Sequence, residues 1–516
     1  MKIFNRKEFI QKIGLLAGST LLFPKLLFAG PKMPAQQQFG IIDLHCHPSL
    51  KMYMWDKKMW KRHWGRSKGE NFFNQQEDVH GFNSGNVRGV VASHYLTEAG
   101  IESRWYLVKF LWPAIKALWF SEATKIEHQD YSNFAQINMM MDILENQLSV
   151  CNQKKKTNYI VARNYDEFER AVFDPTAIPF IHAIEGAHAL GRNFVRSPEK
   201  IKEKQEELHK NPPAIPPVNI AKVSVLSGEG QMMPDPSKPS DKYIRNLDAL
   251  FARGVCMLTL SHFFENDLSW PCEGISPKSK DFPGFKWEYT PSDDNRDLEI
   301  VGVDVVKHML EIGMVVDLTH MTPKGRAHVF RIRDNVNQGR LTLNKHPRPL
   351  IFSHVGSQEV FDRHDHEMYP NYGFYDVNAD EIREISQSGG LMGVIPEIFW
   401  LAGSNRAPQI PGKEVSDESD GIQYMIETMK ALNNYTITKD YDNIGIGTDF
   451  DGLADNPKDI YLDNHLDRLV TAMKNDPELN QKDRIEKILW GNALRVLKFG
   501  WGEATIPRTE WPKTTI

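Results

Sequence analysis

From residue 40 onward, short apolar runs recur along the chain, separated by longer stretches in which apolar residues return every three or four positions. The runs cover 40–44, 89–92, 179–184, 255–260, 314–318, 349–352, 390–395 and 443–447. Several carry no polar alternation, as strands buried on both faces of a parallel sheet require. Helices are predicted between them over 134–148, 165–172, 241–253, 299–312, 379–387 and 421–432. Such an alternation predicts an α/β fold, a closed (β/α)8 barrel of the TIM type. An open doubly wound sheet is the competing arrangement, but no G-x-G-x-x-G follows any of the runs.

Four stretches break the pattern, near 53–83, 191–238, 267–297 and 362–376, and are expected as insertions on the C-terminal, catalytic face of the barrel. With them, residues 36–516 are expected to form a single barrel domain. Residues 1–35 differ in kind. Lys2, Arg6, Lys7 and Lys12 precede an apolar stretch over 13–23, the layout of an export signal with a relaxed twin-arginine motif at Arg6-Lys7. Cleavage is expected after Ala29, and an uncleaved N-terminal anchor is the alternative. The protein is thus expected to be periplasmic or otherwise extracytoplasmic, touching a membrane only through this segment.

Composition narrows the classes. A hydrophobic fraction of 41% and a charged fraction of 25% are those of an ordinary globular chain. A net charge of −5 over 516 residues gives no basic footprint for nucleic acid. Cys46, Cys151, Cys256 and Cys272 show no paired spacing, which argues against a zinc ribbon and leaves room for one disulfide, with Cys272 a candidate.

The candidate chemistry is positional. His45 and His47 end the first run, Glu185 the third, His262 the fourth, His320 the fifth, His354 the sixth and Asp449 the eighth. In a parallel barrel all these ends converge on one mouth. Unpaired polar groups are costly there, so their recurrence needs a joint explanation. Neutral imidazoles with carboxylates are the ligand set of zinc or a similar divalent cation. His45 and His47 would share a face of the strand end, with Cys46 turned away. Asp451 reads as a turn residue, His364 and His366 as solvated loop residues, and the tryptophan-rich stretch 55–64 as a packed lid or partner surface.

The stretches Ile42-Asp43-Leu44-His45-Cys46-His47, Ile184-Glu185-Gly186-Ala187-His188, Leu258-Thr259-Leu260-Ser261-His262, Asp317-Leu318-Thr319-His320, Phe352-Ser353-His354 and Gly447-Thr448-Asp449-Phe450-Asp451-Gly452 stand in that order. Together with Gly491-Asn492-Ala493-Leu494-Arg495-Val496, they resemble the membrane dipeptidase (renal dipeptidase) family of zinc metallopeptidases, within the amidohydrolase-like superfamily. The resemblance runs from about Gly40 to Leu497. It implies two divalent ions, expected to be Zn2+. His45 and His47 would hold the first, Glu185 would bridge both, and His320 and His354 would hold the second. His262 would contact the substrate and, as an uncharged donor, stabilise the developing oxyanion. Asp449 would take the proton of the attacking water.

Two departures stand out. The family carries H-x-D at the first motif, where this chain has His45-x-His47. It also places an arginine shortly after the His354 motif to hold the substrate's carboxylate. Here Tyr375 falls near that position, and Arg363 is the spatial candidate. The resemblance therefore implies a zinc-dependent, dipeptidase-like metallohydrolase acting on the amide bond of dipeptides or similar small amides. Another amide, a lactam or an ester is the alternative substrate, and a catalytically silent metal-binding or scaffold protein the alternative class. A small-molecule or dipeptide substrate leaves room for a homodimer and gives no role to nucleic acid.

Overall fold

All the strands run parallel within one sheet: β1 (Ile41–Cys46), β2 (Val87–Tyr95), β3 (Tyr159–Val161), β4 (Ile178–Glu185), β5 (Val255–Thr259), β6 (Val315–Asp317), β7 (Leu350–Val355), β8 (Leu391–Val394) and β9 (Ile444–Ile446). Their order is β2-β1-β9-β8-β7-β6-β5-β4-β3, and β2 also pairs with β4. That last pairing closes the ring through β1, β2 and β4 to β9 and leaves β3 outside it, attached to the start of β4 by Tyr159 opposite Ile178. The (β/α)8 barrel expected from the sequence is therefore present, and each of the eight apolar runs coincides with one of its strands. The computed structural model describes residues 40–55, 57–61, 75–98, 133–191, 240–272, 296–365, 375–402, 420–452 and 457–502. The expected export segment and much of the four insertions lie outside them, as do residues 56 and 62–64 of the stretch 55–64.

Ile42 and Leu44 of β1, Val91 of β2, Ile181 and Ala183 of β4, Met257 of β5, Val315 of β6, Ile351 of β7 and Leu391 of β8 belong to one buried cluster. Side chains from strands on opposite sides of a closed ring can meet only inside it, so these residues fill the barrel. Helices Tyr165–Phe173 and Asn492–Gly500 add Phe168, Val172, Leu494 and Leu497 to the same cluster. A larger cluster joins the strands to the surrounding helices.

The predicted helices form, with local reasons for their ends. Ala379–Gln387 starts on a capping box between Asn378 and Glu381, and Ile300–Ile312 stops at Gly313, whose φ of 82° is left-handed. Helix Pro323–Thr342 falls on no predicted element. Its start is marked by Thr322, whose Oγ1 accepts from Gly325 N at 3.1 Å, and by proline at the first helical position. Its inward face carries Arg326, Arg333 and Arg340, spaced like core residues, so a count of apolar positions passes over it. Arg326 is fully buried, pairing with Glu381 at 3.2 Å and donating to Tyr375 O at 2.8 Å.

One line of buried polar groups crosses the barrel wall. Ser49 Oγ lies 2.8 Å from His94 Nδ1, His94 Nε2 lies 2.8 Å from His182 Nδ1, and His182 Nε2 lies 3.2 Å from Glu145 Oε1. Glu145 then pairs with Arg163 and Arg253. All four cysteines are buried and none is joined to another, so the disulfide left open for Cys272 does not form. Among the described residues no helix is long and apolar enough to cross a membrane.

Candidate metal centre

Six of the eight barrel strands deliver polar residues at or just past their C-terminal ends: His45 and His47 from β1, Glu185 from β4, His262 after β5, His320 after β6, His354 from β7 and Asp449 after β9. Glu185 is the focus. Its Oε1 lies 3.3 Å from His45 Nε2, 3.2 Å from His320 Nε2 and 3.6 Å from His354 Nε2. Its Oε2 lies 3.3 Å from His47 Nε2 and 3.6 Å from His262 Nε2. His45 Nε2 and His47 Nε2 are 3.2 Å apart, and so are His320 Nε2 and His354 Nε2. Asp449 Oδ1 approaches His47 Nε2 at 2.8 Å and His45 Nε2 at 3.9 Å.

These separations fit divalent cations. A tetrahedral ion with ligands at about 2.0–2.1 Å sets its donor atoms about 3.3–3.4 Å apart, the spacing seen here between nitrogens and carboxylate oxygens. Glu185 Oε1 is buried and accepts no well-formed hydrogen bond, an orphaned acceptor facing three imidazoles. The donors group as His45, His47 and Asp449, as His45, Glu185 and His354, and as Glu185, His262 and His320. Any of these groups could hold a divalent cation, and two of them share Glu185.

The electrostatics follow from the same crowding. Burial would raise the Glu185 carboxyl, but His262, His45 and His47 hold it well below the usual carboxylate range. Burial pushes the imidazoles of His45, His262, His320 and His354 toward neutrality. At His45 and His262 the Glu185 charge overrides it and raises the pKa. At His320 burial and the neighbouring His262 keep it low, and at His354 burial and His45 do so.

Other residues hold the ligands in place. His320 and Asp449 adopt φ of 67° and 50°, left-handed backbone in which side chains are strained. The carbonyl of His320 accepts from Cys272 N at 2.7 Å, and Asp449 N donates to His45 O at 2.7 Å. Asp451, expected as a plain turn residue, is fully buried, paired with Lys51 at 2.8 Å and accepting from Gln76 N at 2.7 Å. Cys46 points away, its Sγ toward Val91 O. The rings of Tyr95 and Phe263 lie 4.2 and 3.8 Å from that of His262, and Tyr375 sits 5.1 Å from His320 while stacking on Trp400 at 3.9 Å.

Seven of the eight residues singled out from the sequence thus meet around Glu185. Arg363 does not join them: it lies on helix Gln358–Asp365, half exposed, and pairs with Glu359 at 2.8 Å. His364 belongs to that helix rather than to an irregular loop, while His366 lies outside the described residues. Glu98 was missed. It is buried, and its carboxylate reaches His262 Nδ1 and the backbone N–H groups of Phe263 and Phe264. Because this carboxylate accepts all three bonds, His262 Nδ1 carries a hydrogen. With that hydrogen in place, donation from Nε2 as well would require the imidazolium form.

Comparison with known proteins agrees with this geometry. The chain is 23% identical over 261 residues to an uncharacterized dipeptidase of Schizosaccharomyces pombe, a match covering 50% of each. The chain thus spans about half the length of that relative. Over 186 residues, 36% of each chain, it is 26% identical to the dipeptidase ataJ of Aspergillus terreus. A metallopeptidase of Rhodobacter sphaeroides, solved with a phosphinate mimic of the dipeptide L-Ala-D-Ala, shares the fold with a TM-score of 0.53 at 15% identity, over 90% of this chain and 99% of that one. The probable dipeptidase PvdM of Pseudomonas aeruginosa does so with a TM-score of 0.50 at 14% identity, over 90% and 96%. The family model for membrane dipeptidases matches residues 237–500, a stretch that holds His262, His320, His354 and Asp449, while the fold brings His45, His47 and Glu185 to them from outside it. By that match, over half of its length, the chain belongs to the membrane dipeptidase family, peptidase family M19.

Proposed function

We propose that this protein hydrolyses the amide bond of dipeptides or similar small amides at a centre of two divalent cations, with zinc the favoured ion. The observation that carries this reading is the Glu185 carboxylate set between the imidazoles of His45, His47, His320 and His354, with Asp449 and His262 beside it. Cations held there supply Lewis acidity, polarising an amide carbonyl and making water a hydroxide source near neutral pH. Asp449, the most accessible member of the group, takes the water's proton and returns it to the leaving amine. His262, fixed by Glu98, donates from Nε2 to the oxygen that gains charge. Tyr95, Phe263 and Tyr375 give the substrate aromatic walls beside these groups. The dipeptide mimic held by the Rhodobacter sphaeroides relative favours a substrate of that size.

A second substrate reading is favoured by one observation. Tyr375 is buried with its hydroxyl 3.2 Å from His354 O, and Arg363 is engaged with Glu359. A site arranged this way gives a free carboxylate less purchase, which suits other amides, lactams or esters. Catalysis takes place after export, directed by residues 1–35.

The test is a panel of dipeptides, including L-Ala-D-Ala, with a lactam and an ester, assayed on the full zinc-loaded chain. Dipeptide hydrolysis that a chelator abolishes and zinc restores is expected. Turnover of the lactam or ester alone would replace the first substrate reading with the second. A metal-loaded protein inert toward all of them would overturn the hydrolase reading.

A further inference from the structure

Behind the ligands, a single hydroxyl touches one histidine from each half of the centre. Ser353, fully buried in β7, places its Oγ 3.0 Å from His45 Nδ1, 2.8 Å from His354 Nδ1 and 2.6 Å from Asp317 Oδ2. Asp317 Oδ1 accepts from Thr319 N, Thr319 Oγ1 and Ser353 N, and its Oδ2 from Thr259 Oγ1 at 2.6 Å. A carboxylate surrounded by donors acts only as an acceptor, so the one hydroxyl hydrogen of Ser353 goes to Asp317. The two lone pairs of Oγ then face two imidazole nitrogens, and both nitrogens must carry hydrogens. A neutral imidazole with its hydrogen on Nδ1 has a bare Nε2. Those bare atoms are the ones that meet Glu185 Oε1, at 3.3 Å for His45 and 3.6 Å for His354.

We infer that Ser353 is a shared positioning residue, whose hydroxyl fixes the tautomer of one ligand of each cation and thereby couples the two cation positions. His45 comes from β1 and His354 from β7, yet their rings lie 3.9 Å apart, tilted by 42°, over this one oxygen. Asp317 orients the hydroxyl, and the hydroxyl orients both rings. Space behind it is tight: a Cβ at Gly393 or Gly447 would lie 2.0 or 1.9 Å from the Ser353 carbonyl oxygen. The backbone of Ser353 is therefore closely packed against the glycines of the neighbouring strands. Losing such an outer partner typically costs about 10–100-fold in metal affinity. Here one loss should reach two sites.

The inference rests on the reading of the Glu185 group as a two-cation centre, and the experiment separates the two. Zinc binding by the parent, Ser353→Ala and Ser353→Cys is measured by competition with a chromophoric chelator, together with melting of the metal-free proteins. The cysteine variant keeps the packing if alanine does not fold, and a thiol is a weak acceptor. The parent is expected to take two equivalents. In each folded variant both binding steps should weaken together, by about 10–100-fold, while metal-free melting stays at the parental value for the cysteine variant. Weakening of one step alone, or of neither, would overturn the shared role. A parent that takes a single equivalent would instead overturn the two-cation reading and the coupling with it.

Discussion

Glu98 Oε2 lies 3.0 Å from Nδ1 of His262, and the same carboxylate caps the backbone N–H groups of the next two residues, Phe263 and Phe264. Burial opposes charge on Glu98, but the His262 bond outweighs it and draws the carboxyl below its usual range. The pair points His262 Nε2 toward Glu185. Glu98→Gln keeps the volume but removes the charge that supports an Nε2 donor, so kcat should fall by about 10–100-fold. Metal content should stay at the parental value. Metal analysis beside steady-state kinetics checks this, and a variant that loses metal or keeps its kcat refutes the positioning role.

Asp449 is the proton carrier in the proposed reaction. Its φ of 50° would strain most side chains, but asparagine tolerates left-handed backbone at least as well as aspartate. Asp449→Asn should therefore fold normally and lose roughly 10²–10⁴-fold in rate. Melting temperature and turnover measured on the same preparation separate the two effects. Large destabilisation with little loss of rate per folded molecule would make Asp449 structural.

His47 stands where the family carries aspartate, and its Nε2 lies within 3.3 Å of both Glu185 and Asp449. His47→Ala should lose one equivalent of metal and most activity. His47→Asp adds a negative charge, which weakens the polarisation of bound water. The acidic limb of its pH–rate profile should then lie at higher pH than in the parent. A fully active His47→Ala protein holding two metals would make this histidine a bystander.

The buried line from Ser49 to Glu145 makes stability depend on pH. At His94 burial, then His182 and Arg253, push the pKa well below the usual imidazole value, against the pull of Glu145. At His182 burial also wins, with Arg163 and Arg253 adding to it, over the Glu145 carboxylate. The folded state thus binds fewer protons than the unfolded chain below about pH 6.5. Their contribution is present above that pH and is lost as pH falls. In His182→Gln one such group is gone, so stability should decline less steeply on acidification, by up to about 1.4 kcal/mol per pH unit. Urea unfolding of parent and variant at several pH values tests this, and parallel curves would refute it.

The barrel strands were legible because burial on both faces leaves uninterrupted apolar runs, and the ligands because they end those runs. Glu98 was not, for a local reason. The apolar run of β2 stops at Ala92, but the strand continues through Ser93 and His94 to Tyr95, whose polar groups find buried partners across the wall. Counted from the true strand end, Glu98 is as close to the mouth as His262 is from β5. Helix Pro323–Thr342 stayed hidden because arginines take the positions where apolar residues are sought, and their charges are answered by Glu381, Glu384 and backbone carbonyls that no sequence spacing announces.

Gly393 and Gly447 flank the carbonyl of Ser353 from the two strands beyond it, with no room for a methyl group at either. Neither offers an atom to bind a metal or move a proton. A scan of all single substitutions should nonetheless find both as intolerant as the ligands, alanine included, because any side chain there wedges β7 away from its neighbours. A map of mutational tolerance would therefore trace the wall behind the centre as sharply as the centre itself, and intolerance alone would not tell mason from wall.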